Sequence, residues 1–316
     1  MLQIERAIAI IEGKAKNSEV PDMELRVLNY FLMVAREENI TKAAQLLHVT
    51  QPTLSRQLMQ LEEELGVQLF HRGKHNVTLT EDGLLLRRRA QELVTLSEKT
   101  KLELQHKEEI PSGEIAIGCG EARSMSILSG GMNTFRVSYP MVQFSIHSAA
   151  ADEIKDRIEK GLLDMGLLTE PVDISKYESI RMPVKDRWGI LVRNDSPLAG
   201  KNAVTPDDLK DSPLIMVRRE LVKNELASWF GSTFEQLEIA ATYNLIVNAA
   251  NMVEKGMGIA LCFDLGVFFE NLCFVPLSPR METGTVLVWK KNQALTAANA
   301  KFIQHMKQYI SGISQN

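Results

Sequence analysis

The segment from Gln51 to Leu65 constrains the fold of this chain most strongly, because it combines a helical repeat of leucines with a proline near its start. The leucines recur every three or four residues and so lie on one side of an α-helix: Leu54, Leu58, Leu61 and Leu65. Pro52 falls in the first turn, where its missing N–H group leaves no helical hydrogen bond unmade, so it indicates a helix start. The outer face carries one arginine, Arg56, among uncharged polar residues.

Two shorter helical patterns precede this segment. The first is an apolar stripe with helical spacing, formed by Leu25, Leu28, Leu32 and Ala35. The stretch "EENITKAAQLL" then predicts a second helix, which begins at a cap on Asn39 and buries Ala43 and Ala44. With Thr50 or Gln51 as the cap of the third helix, the order is helix, tight turn and helix, the arrangement that enters the major groove of DNA.

A short hairpin is predicted after the third helix. The stretch "LGVQLFHRGKHNVTLTEDG" contains two β-like runs, at 67–71 and 76–80, around a basic tip of Arg72, Lys74 and His75. Such a hairpin is suited to lie as a wing against phosphates. The alternative is a small helical domain whose polar face is only solvated. Local charge does not separate the two, because residues 24–82 carry six Lys and Arg against eight Asp and Glu.

The literal residues favour DNA binding. The stretch "AAQLLHVTQPTLSRQLMQLEEELGVQLFHRGKHNVTLTEDG" resembles the winged helix-turn-helix of LysR-type transcriptional regulators in its paired alanines, its "TQP-x-x-S-R-Q" run, its "LE-x-x-LG-x-x-LF-x-R" run and its closing "LT-x-x-G". Asn39 stands where that family usually has serine, and His75 where it often has arginine. The resemblance implies that these residues face DNA: Lys42, Gln51, Pro52, Thr53, Ser55, Arg56, Arg72, Lys74 and His75.

The chemistry of these side chains agrees with that role. Arg56 can reach guanine O6 and N7 or a phosphate, Gln51 an adenine or guanine edge, and the Pro52 ring a thymine methyl group. Phosphate contacts, which carry no sequence information, would come from the basic residues Lys42, Arg72 and Lys74. His75 in place of arginine would weaken one such contact or make it pH-sensitive.

A long helix is predicted for residues 83–110, and it has two interpretations. A heptad-like seam is formed by Leu86, Ala90, Leu93, Ser97, Thr100 and Leu104. The helix could lie on its own domain, or it could pair antiparallel with the same helix of a second subunit. The family resemblance implies pairing, so we expect a homodimer joined through this linker helix, assembled further into a homotetramer.

The remainder of the chain alternates strands and helices. The break "IPSG", residues 110–113, precedes an α/β pattern that predicts mainly parallel sheets. Several stretches resemble the effector domain of the same regulators, including "YPMVQFSI", "IEKGLLDMGLL", "NDSPLAG" and "VTPDDLKDSPLIMV". Ser196 replaces a usual histidine, and Asp264 replaces a usual proline. The resemblance implies a two-lobed α/β domain like a periplasmic binding protein.

The predicted fold class is therefore α/β overall, with a mainly α winged helix-turn-helix, a long linker helix and a two-lobed effector domain. The predicted boundaries are 1–22 for an extension attributed to an over-long start, 23–82 for the DNA-binding domain, 83–110 for the linker helix and 111–316 for the effector domain. Within the last, lobe I takes about 112–185 and 281–316, and lobe II about 186–280.

Ligands of such domains bind at strand carboxyl ends and helix N-termini. The stretch "CGEARS" follows the first predicted strand and suits an anionic small molecule, although Glu121 argues against a simple anion site. The candidate effector-binding residues are Cys119, Gly120, Arg123, Ser124, Thr169, Arg218 and Asn248. For each one alone, a surface charge or a helix cap without a ligand explains the residue equally well.

Composition limits the other classes of function. A net charge of −4 argues against a bulk polyanion binder, so DNA contact must come from a local patch and a second subunit. The scattered Cys119, Cys262 and Cys273 indicate a reducing compartment rather than a disulfide scaffold or metal site. A redox pair of Cys262 and Cys273 is the less favoured alternative. The sequence contains no nucleophile elbow, P-loop, dinucleotide fingerprint or metal-spaced cluster, so we expect no enzyme activity, cofactor or metal.

The expected protein is a ligand-responsive regulator located in the cytoplasm. No apolar run approaches 18 residues, and residues 1–22 lack the features of a signal peptide, so we expect no membrane partner. The expected partners are double-stranded DNA, further copies of the chain and a small-molecule effector, with RNA polymerase as an additional candidate. A small-molecule binder with a vestigial DNA-binding domain is the second hypothesis, and an enzyme on the same scaffold is the third.

Overall fold

The computed structural model describes residues 23–73, 77–105, 111–293 and 295–313, and the chain forms two compact units that divide after Lys101. The predicted N-terminal extension lies outside the described residues. The first unit contains helices α1 (Leu25–Glu37), α2 (Ile40–Leu46) and α3 (Gln51–Leu65), strands β1 (Phe70–Arg72) and β2 (Val77–Leu79), and the start of the long helix α4 (Glu81–Gln105).

The helix starts predicted from the sequence are confirmed. Asn39 caps α2, where its side-chain oxygen accepts a hydrogen bond of 2.9 Å from the Lys42 N–H group. Thr50 caps α3, since its hydroxyl accepts from the Thr53 N–H group at 3.4 Å, and Pro52 lies in the first turn. These caps satisfy N–H groups that have no partner inside the helix.

The core of the first unit is made by the predicted leucine face. Leu54, Leu58 and Leu61 are buried against α1, whose Phe31 packs against Phe70 of the wing, with the rings tilted and their centroids 5.2 Å apart. Burial of each such side chain contributes roughly 1.5–3 kcal/mol relative to exposure. The outer face of α3 is therefore free to vary without loss of this core.

The wing is fixed to α3 by one carboxylate. Glu62 accepts hydrogen bonds from the N–H groups of Leu69, at 2.8 Å, and Phe70, at 3.1 Å. The two short strands then pair antiparallel, with Phe70 opposite Leu79. At the start of α4, a Cβ on Gly83 would lie 2.2 Å from the Leu69 carbonyl oxygen, so only glycine permits this close approach.

Part of the predicted seam of α4 packs on its own unit. Ala90 is buried in the core of the first unit, and Leu86 packs against that core, although both were predicted to face a second subunit. The reason is that Gly83 faces the first unit at the start of α4, so Leu86 and Ala90, three and seven residues further along the helix, face the same way. Leu93 of the predicted seam remains exposed, at 42%, and forms an apolar stripe with Leu85, at 54%, and Leu96, at 38%, which were not part of that seam.

The first lobe of the second unit is a five-stranded sheet, in the order β4-β3-β5-β13-β6, with helices packed against it. Its elements are β3 (Gly113–Cys119), α5 (Ser124–Ser138), β4 (Val142–Ser148), α6 (Ala151–Glu159), β5 (Met165–Thr169), β6 (Tyr177–Arg181), β13 (Thr285–Lys290) and α10 (Ala297–Ile313). Phe135 and Phe302 meet edge to face in its core, with centroids 5.2 Å apart.

The second lobe is a six-stranded sheet, in the order β11-β7-β10-β8-β9, with β12 added beside β7. Its elements are β7 (Asp186–Arg193), α7 (Pro206–Leu209), β8 (Leu214–Val217), α8 (Glu220–Phe230), a 3₁₀ helix (Gly231–Gln236), β9 (Ile239–Tyr243), α9 (Ile246–Glu254), β10 (Ile259–Phe263), β11 (Leu272–Pro276) and β12 (Glu282–Thr283). Trp188 and Leu226 are fully buried in its core.

Both sheets are mixed, so the prediction of mainly parallel sheets is wrong. β3 is parallel to β4 and β5, and β8 is parallel to β9 and β10, but β13 and β7 run antiparallel to their neighbours. Parallel neighbours need a crossover, usually helical. β7 and β13 are reached directly from the other lobe, without such a helix, and they enter antiparallel.

The two chain segments that join the lobes lie side by side. β12 pairs with β7, so that Thr283 stands opposite Asp186, and the Trp188 indole N–H donates to the Thr283 hydroxyl at 2.8 Å. Within the described residues, no helix combines the length and apolar character needed to cross a bilayer.

Candidate functional site

The first candidate site is the outward face of α3. Gln51, Pro52 and Thr53 are exposed in its first turn, Ser55 is half-buried, and Arg56 is exposed one turn later. The Thr53 hydroxyl lies 2.8 Å from that of Thr50, so part of its hydrogen-bonding capacity is already used within the helix cap. The predicted base-reading residues therefore share one exposed surface, opposite the leucines that hold the helix in place.

Lys42 and Arg56, the two described cations among the predicted DNA-facing residues whose side chains can be followed, differ in whether they form an ion pair with a carboxylate. Lys42, at the start of α2, lies 2.7 Å from a carboxylate oxygen of Glu37. Hydrogen bonds from Lys42 and then Arg36 lower the pKa of Glu37 below its ordinary value, so this carboxyl stays ionised beside the lysine. Arg56 has no ion-pair partner among the described residues. Of the two, Arg56 is the one whose charge is not already matched.

The structure describes the predicted basic residues of the wing only in part. Arg72 is the last residue of β1, and its side chain is outside what is described. Lys74 and His75 lie in the undescribed 74–76 segment, so their predicted contact with phosphate stays a prediction.

The second candidate site is a cavity of about 110 Å³ between the two lobes of the second unit. The first lobe contributes the end of β3, the end of β5 and the N-terminus of α6. The second lobe contributes the ends of β8 and β10 and the N-termini of α8 and α9. The predicted residues on its wall are Gly120, Thr169 and Arg218, and the lining that the sequence did not predict includes Ala149, Ala150, Trp188, Tyr243, Asn244 and Phe263.

Arg219 is the most deeply buried cation of this cavity wall. Its side chain is 8% exposed and donates to two carbonyl oxygens of the first lobe, those of Thr169 at 2.8 Å and Pro171 at 2.7 Å. Burial lowers the pKa of the guanidinium, while the Asp152 carboxylate, 3.7 Å away, opposes that shift. Since Nη1 and Nη2 are directed at first-lobe carbonyl oxygens, Arg219 ties the lobes together, while its buried Nε makes no hydrogen bond within the described residues.

Arg218, the next residue along, is exposed and lines the cavity. Its backbone N–H group donates to the Tyr243 carbonyl at 3.2 Å, which fixes the main chain where β8 ends. Its guanidinium has no hydrogen-bond or ion-pair partner within the described part of the chain. This leaves a positive charge available to a ligand at the second-lobe wall.

Glu121 lines the same cavity from the first lobe. Its carboxylate Oε2 accepts a hydrogen bond of 2.5 Å from the Ile246 N–H group, at the N-terminus of α9 in the second lobe. Burial raises the pKa of this carboxyl, and the hydrogen bond from Ile246 only partly offsets the rise. From the sequence, Glu121 was only an argument against a simple anion site, and its contact with the other lobe was not predicted.

Four of the predicted effector-binding residues lie off the cavity wall. Cys119 is buried in the first-lobe core, and burial raises the pKa of its thiol. Ser124 is also fully buried, where its hydroxyl lies 2.5 Å from that of Thr285. Arg123 is exposed and pairs with Asp264 at 3.6 Å. Asn248 is exposed on α9, two residues beyond Ile246, which turns its side chain away from the cavity that Ile246 lines.

The charge distribution of the cavity combines both signs. The helix N-termini of α6, α8 and α9 converge on it, and their cap residues Ala150, Arg219 and Leu245 make no side-chain capping bond. N–H groups at helix N-termini favour negative ligand groups. Nowhere in the described residues do three or more His, Cys, Asp or Glu side chains gather as a metal site.

Comparison with known proteins matches two family models to separate parts of the chain. A family described as "Bacterial regulatory helix-turn-helix protein, lysR family" matches residues 25–84, and one described as "LysR substrate binding domain" matches residues 108–311. YwbI of Bacillus subtilis (strain 168), an HTH-type transcriptional regulator described as uncharacterized, is 29% identical over 296 residues, which is 91% of this chain and 97% of its own.

Two further proteins extend the comparison. The HTH-type transcriptional activator IlvY of Salmonella typhimurium is 29% identical over 277 residues, which cover 87% of this chain and 91% of its own. The crystal structure of full-length CbnR with its target DNA superposes with a TM-score of 0.70 at 20% identity, over 91% of this chain and 100% of that one. This last likeness concerns the fold.

Proposed function

The chain belongs to the LysR family of transcriptional regulators, and from this membership we propose that it reads an interrupted palindromic operator as an oligomer under the control of a small carboxylate-bearing effector. It is a DNA-binding regulator with an effector-binding domain. The proposal concerns the form of the operator, the assembly, the chemistry of the effector and the residues that carry each role. It also places the protein in the cytoplasm, with its DNA.

The observation that carries the DNA-binding part is the exposed, unpaired Arg56 beside Gln51 and Pro52 on α3. An arginine whose charge is not matched within its own unit can donate two hydrogen bonds to guanine, and Gln51 can pair with an adjacent base edge. Lys42, although paired with Glu37, remains 64% exposed and can exchange that partner for a phosphate.

The exposed stripe Leu85, Leu93 and Leu96 on α4 supports a homodimer through this helix. These leucines are not used by the core of the first unit, and they recur at helical spacing along one side. Two copies of α3 held by such a pair would read two half-sites related by a two-fold axis. The unit that reads DNA is therefore the dimer.

Exposed apolar side chains of the second unit support a tetramer. Val137, Met141 and Ile146 are exposed on the first lobe, where Ile146 belongs to the edge strand β4, and Leu221 and Ile239 are exposed on the second lobe, where Ile239 belongs to the edge strand β9. Exposed apolar residues on edge strands favour association. RNA polymerase, as a further partner, would be reached once the assembly is bound beside a promoter, which transcription with purified components tests.

The cavity between the lobes supports the effector proposal. Arg218 has no partner among the described residues, and the N-termini of α6 and α8 open toward the same space. A carboxylate would meet both the guanidinium and the helix N–H groups. Most of the remaining lining is apolar, which suits a small organic acid rather than a free inorganic anion.

Effector binding acts on DNA only if the ligand prefers one arrangement of the lobes. The cavity is formed from both lobes, and Arg219 and Glu121 already cross it. A ligand that changes either contact changes the relative stability of the lobe arrangements and, through the linker helix, the spacing of the paired DNA-binding domains.

Footprinting with purified full-length protein tests the proposal. We expect protection of two half-sites near its own promoter or an adjacent divergent promoter, and a shift in that protection when a suitable organic acid is added. Organic acids that bind should also raise the melting temperature of the effector domain. Absence of any specific protection, with and without candidate ligands, would contradict the proposed function.

A further inference from the structure

We propose that the effector is a zwitterion, an α-amino acid with a compact apolar side chain, whose ammonium group is bound by Glu121 and whose carboxylate is bound by Arg218. This inference rests on the proposed function of the interlobe cavity and narrows the chemistry of its ligand. The juxtaposition that carries it is a partly satisfied carboxylate on one lobe and an unpaired guanidinium on the other, in one cavity.

The Glu121 carboxylate is only half satisfied by the protein. Oε2 accepts from the Ile246 N–H group, and Oε1 has no hydrogen-bond partner among the described residues. The side chain is half-buried, and burial is the larger influence on the pKa of its carboxyl. A half-buried carboxylate with one oxygen not used by the protein gains most from a cationic donor, because a charge-assisted hydrogen bond is about twice as strong as a neutral one.

Arg218 presents the complementary charge from the opposite lobe. Arg218 and Glu121 line the same cavity but form no ion pair with each other in the described chain. A simple carboxylate ligand would satisfy Arg218 and add a second negative charge near Glu121. An amine without a carboxylate would satisfy Glu121 and leave the guanidinium unmatched. A ligand with both groups satisfies both walls.

The rest of the wall determines the ligand's side chain. Trp188 and Tyr243 have polar groups, but the indole N–H donates to Thr283 and the Tyr243 hydroxyl donates to the Leu261 carbonyl, both at 2.8 Å. With Leu167, Val222 and Phe263 added, the floor of the cavity is apolar. Its volume, about 110 Å³, is well below the roughly 300 Å³ at which sites for larger ligands begin.

A competing explanation assigns Glu121 a different part. Its carboxylate could act as an internal anion that occupies the N-terminus of α9 until a ligand carboxylate displaces it. That explanation makes plain carboxylates the better ligands, since an ammonium group would have no partner once Glu121 is displaced. The two explanations therefore predict opposite rankings of amino acids and their deaminated analogues.

Isothermal titration of the full-length protein with matched probes distinguishes these explanations. The first set is L-leucine, 4-methylpentanoate, which lacks the amine, and 3-methylbutylamine, which lacks the carboxylate. The second set is L-phenylalanine, 3-phenylpropanoate and 2-phenylethylamine. We expect at least one amino acid to bind at least tenfold more tightly than both of its analogues.

Two variants assign the charges. Glu121→Gln keeps an oxygen that can accept from Ile246, so the fold should be retained; it should weaken amino acid binding at least tenfold and leave binding of the deaminated acid unchanged or stronger. Arg218→Gln should weaken the binding of both the amino acid and the deaminated acid. Glu153→Gln is the matched control, because Glu153 is 57% exposed, lies outside the cavity lining and makes its contact with His147.

The outcomes separate this inference from the proposed function. Deaminated acids that bind as tightly as the amino acids, with Glu121→Gln changing neither, would overturn the zwitterion and leave an acid-binding cavity intact. Binding of none of the six probes would also overturn the zwitterion, while operator footprinting would still decide the proposed function independently. Tight amino acid binding that Glu121→Gln abolishes and Glu153→Gln preserves would support the inference.

Discussion

Arg219 in the second lobe donates a hydrogen bond of 2.8 Å to the backbone carbonyl of Thr169 in the first lobe. Thr169 is the last residue of β5 and lines the cavity, so the tie is made at the edge of the ligand site itself. A buried guanidinium is costly unless its donors are matched, and the two donors of Arg219 that are matched, Nη1 and Nη2, both bond across the cleft. The arrangement of the lobes and the burial of Arg219 therefore depend on each other.

Replacing Arg219 with methionine tests this dependence. The variant leaves two carbonyl oxygens without their charged donor, and we expect the effector domain to lose roughly 1.5–3 kcal/mol of unfolding free energy. Tryptophan fluorescence in denaturant measures this domain alone, because the three tryptophans of the chain, Trp188, Trp229 and Trp289, all lie in the second unit.

The control for this change is Arg218→Met. Arg218 is exposed and makes no side-chain bond in the described chain, so we expect its loss to alter stability by no more than about 0.5 kcal/mol. Equal destabilisation by the two substitutions would show that Arg219 has no special role between the lobes.

Removing the side chain of Arg56 should weaken operator binding. We expect Arg56→Ala to reduce affinity for the specific site by roughly 1–3 kcal/mol, because an unpaired arginine on the outer face of α3 is the residue best able to contact a base. Gel-shift titration at one fixed salt concentration measures the change.

Gln60→Ala provides the comparison on the same helix. Gln60 is exposed toward the far end of α3, where it donates to Glu64, and it is not among the predicted base contacts. We expect this variant to bind like the unchanged protein and both variants to melt normally. Equal losses from Gln60→Ala and Arg56→Ala would contradict the assignment of the DNA-facing turn.

Charge placed on the exposed leucine stripe of α4 should prevent dimerisation. Leu93→Glu puts a carboxylate on the surface proposed to pair, and sedimentation velocity should then detect a smaller species than the unchanged protein forms. Leu84→Glu is the matched control, because Leu84 is 57% exposed but lies about 100° around the helix from Leu85. Dissociation by Leu84→Glu alone would place the interface on another side of α4.

Glu121 should make the stability of the effector domain depend on pH. Its pKa is raised by burial above the ordinary value of 4.5, so the folded protein holds this proton at pH values where the unfolded chain has released it. The stability that the folded state gains by holding this proton is fully present below the pKa of Glu121 in the unfolded chain, and it is lost as pH rises through the pKa of Glu121 in the folded protein. We therefore expect ligand-free Glu121→Gln to lose less stability than the unchanged protein between about pH 4.5 and neutrality.

Denaturant unfolding followed by tryptophan fluorescence at several pH values measures this slope. Burial also raises the pKa of Asp186 and of Glu225, so part of the slope should persist in the variant. A slope that Glu121→Gln leaves unchanged would mean that those two carboxyls carry the whole effect.

Features set by neighbours in the chain could be predicted from the sequence, and the DNA-binding surface is mostly of this kind. The Asn39 cap and the start of α3 at Pro52 follow from local hydrogen bonding and from the fixed φ of proline. The inward turn of Leu86 and Ala90 could not be predicted in the same way. It depends on where Gly83 meets the Leu69 carbonyl, a contact between separate elements.

The cavity shows the same limit more strongly. Its wall is assembled from strand ends far apart in the sequence, so Gly120, Thr169 and Arg218 could be guessed only from the general location of ligands at strand ends. A shift of one or two positions along a helix or strand decides whether a side chain faces the cavity or points away from it. That shift separates Ile246, which lines the cavity, from Asn248, which does not.

Glu62 belongs to α3, the helix proposed to read bases, and its carboxylate also accepts hydrogen bonds from Leu69 and Phe70 at the start of the wing. In the proposed complex, the base contacts of α3 and the phosphate contacts of the wing would therefore stay at a set distance, which the groove of one half-site must match in width. We expect an operator with the right bases but an ill-fitting groove to be bound poorly, so that DNA shape is selected together with base identity.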